Sequence, residues 1–240
     1  MSRPIFIVLI LLAAVVAAAF RLPGLEQRPM HGDEAVNAYK LGETIEGRGY
    51  EYDPREYHGP TLNYLALIAA RLGGGGSFVG LNEFILRVVP VFFGTLLVLL
   101  LLPTVDGLGR MAAVFAALFT AVSPAMVFYS RYFIHEMLLV CFTAGAIVCG
   151  YRYLKSLGAL WASLAGVCLG LMHATKETFI LSLACLGTAV VIDALLARQV
   201  RRDLGTVGWK QLPLLLLVAG VVSVVFFSSF FTHGRGPIDS

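Results

Sequence analysis

The stretch Glu83–Pro103, EFILRVVPVFFGTLLVLLLLP, decides the fold class, because beyond Arg87 it carries no charge. At a rise of about 1.5 Å per residue such a run is long enough to cross a hydrocarbon core of about 30 Å. Working outward, further apolar runs bounded by charge occupy Pro4–Phe20, Met111–Phe128, Phe133–Leu154, Leu160–His173, Thr178–Leu196 and Leu212–Phe231. The run at Leu160 is short and must borrow a turn from its flanks. Together they predict an all-α fold, a polytopic transmembrane helical bundle of about seven spans. Hydrophobic residues make up 58% of the chain and mean hydropathy is +0.81, whereas soluble domains are only about half apolar. A water-soluble fold is excluded on that ground.

Short loops place neighbouring spans antiparallel, and the balance of Lys and Arg then sets their direction. One set of ends holds Arg3, Arg110, Arg152, Lys155 and the cluster Arg198, Arg201, Arg202 and Lys210; the other short loops hold only Arg131, Lys176 and Arg235. The richer set is read as cytoplasmic, so residues 21–82 form a first extracytoplasmic loop and residues 83–231 hold spans two to seven. The first span also resembles a signal peptide, with Arg3, an apolar core and small residues at Ala17–Ala19. The net charge of +3 lies in no basic stripe, which argues against nucleic acid as a partner. Cys141, Cys149, Cys168 and Cys185 fall inside apolar runs with no CxxC spacing, so neither a disulfide framework nor a zinc knuckle is indicated.

Within the long loop, apolar residues recur at three- and four-residue steps from Asp33 to Gly47, predicting a helix lying on the membrane surface. A second short helix is expected from Pro60 to Leu72, ended by Gly73–Gly76 and, at about 20 Å, too short to span. Most of the tyrosines, Tyr39, Tyr50, Tyr52, Tyr57, Tyr64, Tyr129 and Tyr132, fall on this side, as an interfacial aromatic belt or as sugar-stacking surfaces.

The same side gathers the ionisable residues. They are His31, Asp33 and Glu34; His58; Arg131 with His135 and Glu136; and His173, Lys176 and Glu177, with His233 after the last span. Such a cluster at headgroup depth suits a lipid-linked phosphorylated substrate: carboxylates take a proton from a hydroxyl or hold a divalent cation, and Arg and Lys neutralise a departing phosphate. Each has a plainer role as well. Asp33 can cap the surface helix, Arg131 and Glu136 can pair with each other, and Lys176 can snorkel from a helix end. His31, His58, His135 and His173 are candidate substrate or metal contacts, although no spacing fixes a ligand set. Midspan positions are nearly all apolar, which disfavours a transporter, and Gly145, Gly150, Gly166 and Gly170 read as close helix packing.

The order HGDEAVNAYKLGE from His31, YHGPTLNYLALIAARLGG from Tyr57, NEFILRVVPVFFGTL from Asn82, YSRYFIHEMLL from Tyr129 and LMHATKETF from Leu171 resembles the membrane glycosyltransferases of the type C superfamily. Within it the chain is most similar to the protein O-mannosyltransferase and aminoarabinose transferase branch, and to a flippase-associated family. The resemblance implies inverting transfer of a sugar from a polyprenyl-phosphate donor to a glycan, lipid or protein acceptor at the extracytoplasmic face, and the lack of disulfide-like cysteines and of long soluble domains fits a prokaryotic plasma membrane. It implies Asp33 as base or metal contact, with Glu34 beside it and Glu136 as the second acid. Arg131 and Lys176 would face the carrier phosphate. Related enzymes continue beyond the point where this chain stops at Ser240, so the expectation is a single shared catalytic module, residues 1–240. The competing readings are a lipid-linked sugar flippase and a non-catalytic membrane scaffold.

Overall fold

The structure, a computed structural model, describes residues 1–55, 58–196 and 209–240. Tyr57 and the cluster Arg198, Arg201 and Arg202 lie outside the described residues. All regular structure among those described is helical. Among the described residues three helices are long and apolar enough to cross a membrane: α1 (Arg3–Arg21), α4 (Glu83–Leu99) with its continuation through α5 (Val105–Leu108), and α8 (Glu136–Ser156). A bent pair makes up to four. The expected count of seven also drew on the runs at Leu160, Thr178 and Leu212. These form shorter apolar helices, α9 (Ala159–His173), α10 (Phe179–Leu196) and α11 (Leu212–Phe227).

The bent pair differs from the single run expected over Met111–Phe128. α6 (Arg110–Val122) and α7 (Pro124–Ser130) meet at 56°. Pro124 has no N–H to continue the ladder, and its ring pushes Ser123 out of helical geometry, to φ −55° and ψ 123°. The last run also ends early: α11 stops at Phe227, and Ser229, Phe230 and Phe231 turn through positive φ.

Small residues set how closely the helices approach. α1 lies along α6 through Ala13, Ala14 and Ala17 on one side and Ala113, Ala117 and Ala121 on the other, all buried. α9 sits between α8 and α11. A Cβ on Gly166 would lie 2.5 Å from the Leu215 carbonyl oxygen, and one on Gly170 would lie 2.6 Å from that of Ala219. This spacing of four lets two backbones meet. Gly145 faces Cys168 Sγ in the same manner, but Gly150 faces open space, so its expected packing role is absent.

The long loop contains both short helices foreseen from its pattern, α2 (Gly32–Ile45) and α3 (Thr61–Leu72). They fold onto one end of the bundle rather than standing apart. Ala38 and Leu41 of α2 and Leu62 and Ala66 of α3 are buried with Leu86, Val89 and Phe93 of α4 and with Phe133, Met137 and Leu138 at the start of α8. Burial of that apolar seam, at about 25 cal/mol per Å², fixes the polar loop residues against the helix ends.

Candidate active site

α2 begins with a reciprocal cap. The His31 ring Nδ1 accepts the Asp33 N–H at 3.3 Å, and the Glu34 carboxylate accepts the His31 N–H at 3.0 Å. The cap is therefore His31, not Asp33. The two neighbouring acids are sorted by this turn. Glu34 is fully buried, and its oxygens accept from Arg87 Nε at 2.8 Å and Nη2 at 2.9 Å, from Arg28 at 3.1 Å and from the Phe133 N–H at 2.9 Å. Burial alone would raise its pKa, yet the bonds from Arg87 and from the two backbone N–H groups hold the carboxyl below its usual value. Asp33 points the other way, with its side chain 78% exposed and one oxygen 3.6 Å from His31 Nδ1.

The His58-Gly59-Pro60 segment is stitched to the turn after α9. Gly59 N–H donates to the Thr175 carbonyl and Thr61 N–H to that of Ala174, each at 3.1 Å, and the Thr61 and Thr175 hydroxyls meet at 2.8 Å. Only glycine fits at position 59, because a Cβ there would lie 2.2 Å from the Ala174 carbonyl oxygen.

This seam brings together side chains from four parts of the chain. His58 Nδ1 is 2.9 Å from Glu177, whose other oxygen accepts from the Tyr52 hydroxyl at 3.4 Å. Burial first, and then the Glu177 charge, push the Tyr52 phenol up to about 12. The His58 and His135 rings meet edge to face at 5.2 Å. His135 Nε2 lies 3.2 Å from the Gly59 carbonyl, which can only accept, so Nε2 carries the proton. Burial, with His58 and Lys176 adding to it, lowers the His135 pKa to about 3, and the ring is neutral. Lys176 Nζ pairs with Glu136 at 2.6 Å. α2 faces the same place: Asn37 and Lys40 line a small cavity with His58, Gly59 and His135. Asp33 lies one helical turn before Asn37.

Other expected site residues have their partners outside this seam. Arg131 pairs not with Glu136 but with backbone carbonyls at the end of α1, those of Phe20, Arg21 and Gly24 at 3.4, 3.0 and 3.3 Å. His173 bonds Ser223 of α11 at 2.6 Å, and His233 approaches Glu51 at 3.9 Å. Among the described residues no group of three or more His, Cys, Asp or Glu side chains converges as a metal ion requires. As placed, these donors do not fit a metal ion. Sequence reading passed over Arg28, which also stacks 3.3 Å over the Tyr132 ring, and Asn63, a buried amide among the apolar residues of α3. A lone Asn in an apolar helical face was the available signal for the second.

Comparisons with known proteins agree with this architecture. A sequence profile described as dolichyl-phosphate-mannose-protein mannosyltransferase matches residues 57–228, beginning after α2. The fold is also that of a chain in the S. cerevisiae protein O-mannosyltransferase complex solved bound to the sugar donor, with a TM-score of 0.74 over 98% of this chain at 23% identity. This chain spans 35% of the length of that one. No curated protein sequence matches it.

Proposed function

Because the chain belongs to the dolichyl-phosphate-mannose-protein mannosyltransferase family, we propose that it is a membrane glycosyltransferase moving a hexose such as mannose from a polyprenyl-phosphate donor to an acceptor hydroxyl. Residues 1–240 act as one transferase module, with residues 21–82 as its first extracytoplasmic loop, at the outer face of a prokaryotic plasma membrane. Asp33 accepts the proton of the acceptor hydroxyl as that oxygen attacks the anomeric carbon. The bond from that carbon to the phosphate oxygen breaks, its electron pair leaves with the carrier phosphate, and configuration inverts.

The observation that supports Asp33 is the sorting of the acid pair. Glu34 has all its lone pairs engaged in holding the loop, whereas Asp33 has a solvent-facing carboxylate on a rigidly capped turn. Lys176 and Arg131 neutralise the departing phosphate. Glu136, the second acid, orients the Lys176 ammonium and leaves it two N–H donors. Arg131 spends its Nη1 protons and one on Nη2 on the carbonyls of the α1 end, leaving Nε–H and a second Nη2–H.

The test is transfer of radiolabelled sugar from polyprenyl-phosphate donors in membranes holding the full gene product, comparing wild type with Asp33→Asn. A positioned base is worth about 10²–10⁴ in rate, so the variant should lose at least a hundredfold while accumulating as folded protein. Equal rates would remove Asp33 from the mechanism. Folded wild-type protein that transfers from no donor would move the assignment to the flippase or scaffold readings.

A further inference from the structure

The cavity between α2, α3 and the start of α8 holds a polar group with no partner. Asn63 is 7% exposed, and neither its Nδ2 nor its Oδ1 makes a hydrogen bond. Buried amides are ordinarily satisfied, and one left bare on both atoms calls for a ligand group or a water. The usual ambiguity over which end of the amide is nitrogen does not matter here, since both ends are free.

We propose that Asn63 is the floor of a subsite that takes one hydroxyl of the transferred sugar, and that it is a specificity-determining residue of the transfer reaction. This rests on the glycosyltransferase reading above. Size, polarity and position support it. The cavity, about 10 Å³, admits one water-sized group and not a sugar ring, so a ring seated at its mouth would project a single substituent inward. An amide presents one donor face and one acceptor face, and a hydroxyl is the small group that answers both. A carboxylate or phosphate oxygen would leave Oδ1 bare, and an ammonium would leave Nδ2 bare. The walls add no strong charge preference: His135 is neutral, and Lys40 has the Glu43 carboxylate at 3.6 Å. Asn37, on the same wall, lies one helical turn from Asp33, so the cavity and the proposed base share one face of α2.

The experiment uses the full chain in lipid nanodiscs with polyprenyl-phosphate mannose and its 2-, 3-, 4- and 6-deoxy analogues, reading both donor affinity and transfer. Wild type, Asn63→Ala and Asn63→Leu are compared. The wild type should bind one of the four deoxy donors at least tenfold more weakly than the parent, because a site built to pair with a hydroxyl rejects the analogue lacking it. Both variants should shrink that difference below about twofold. Asn63→Leu should show an apo melting temperature equal to or above wild type, since it removes the orphan amide, which separates lost recognition from lost folding. An affinity profile that is flat across the analogues, or unchanged by the variants, means the cavity holds an ordered water only and overturns the proposal. A variant-sensitive affinity profile without transfer by any protein would uphold the subsite and overturn the transferase reading instead.

Discussion

Replacing Glu34 with Gln should unfold the loop end of the bundle far more than a one-atom change suggests. The carboxylate accepts five hydrogen bonds, two from Arg87, one from Arg28 and two from backbone N–H groups, with its side chain wholly out of solvent. An amide supplies one oxygen, and its NH₂ group would confront donors that have nowhere else to turn. Arg87, itself 1% exposed, would lose its counter-charge inside the protein. Breaking one side of a buried ion pair costs about 3–5 kcal/mol, roughly a 10²–10⁴-fold fall in the folding equilibrium constant. The assay is the melting temperature of nanodisc-embedded protein, followed by size-exclusion chromatography after heating. A cycle of Glu34→Met, Arg87→Met and the double variant Glu34→Met/Arg87→Met should give a coupling of about 1–3 kcal/mol, the double being less damaged than the sum of the singles. A Glu34→Gln protein that melts with the wild type, or a strictly additive cycle, would refute the view that this pair holds the loop.

Gly59→Ala should separate the His58 segment from the turn at Ala174. Its Cβ meets backbone that cannot rotate away, so a loss of about 1–3 kcal/mol in stability and a larger loss in transfer are expected, measured by melting and by radiolabel assay. Acid should destabilise the protein through His135. Its folded pKa, about 3, lies below the ordinary 6.5, so the unfolded chain binds the extra proton between those values. The stability this neutral ring contributes is complete above pH 6.5 and falls by about 1.4 kcal/mol per pH unit below it. Melting scans from pH 7 to 5 should show this slope in the wild type and a shallower one in His135→Gln; equal slopes would contradict it. The depressed Glu34 carboxyl acts in the same direction only at lower pH, below the ordinary 4.5.

Features carried by local pattern were legible in the sequence. The apolar runs, the periodicity of α2 and the stop at Gly73 each follow from neighbouring residues, and the corresponding helices are present. The break before Pro124 was not read, because an unbroken apolar run concealed it and hydropathy is blind to a missing N–H. Partnership across the chain was not legible. Asp33 and Glu34 are alike as letters, and only Arg87, placed by a different helix, makes one an anchor and leaves the other exposed. Arg131 next to a His-Glu pair invites an ionic reading, but the end of α1 presents it with bare carbonyls, which no motif records. The approach of His58 to Glu177 likewise depends on a backbone seam between distant segments.

That seam carries a consequence for biosynthesis. Thr61 and Thr175 are 114 residues apart, and the N–H groups of Gly59 and Thr61 find their acceptors only when the later turn exists. At about 5–20 residues per second, the ribosome needs roughly 6–23 s to supply it. Throughout that interval the nascent chain holds its first loop beside the bilayer with the pocket unassembled and backbone donors unmet. The site is completed only once the turn after α9 exists, so a chain stalled before residue 175 presents Asp33 without the seam that joins His58 to Glu177.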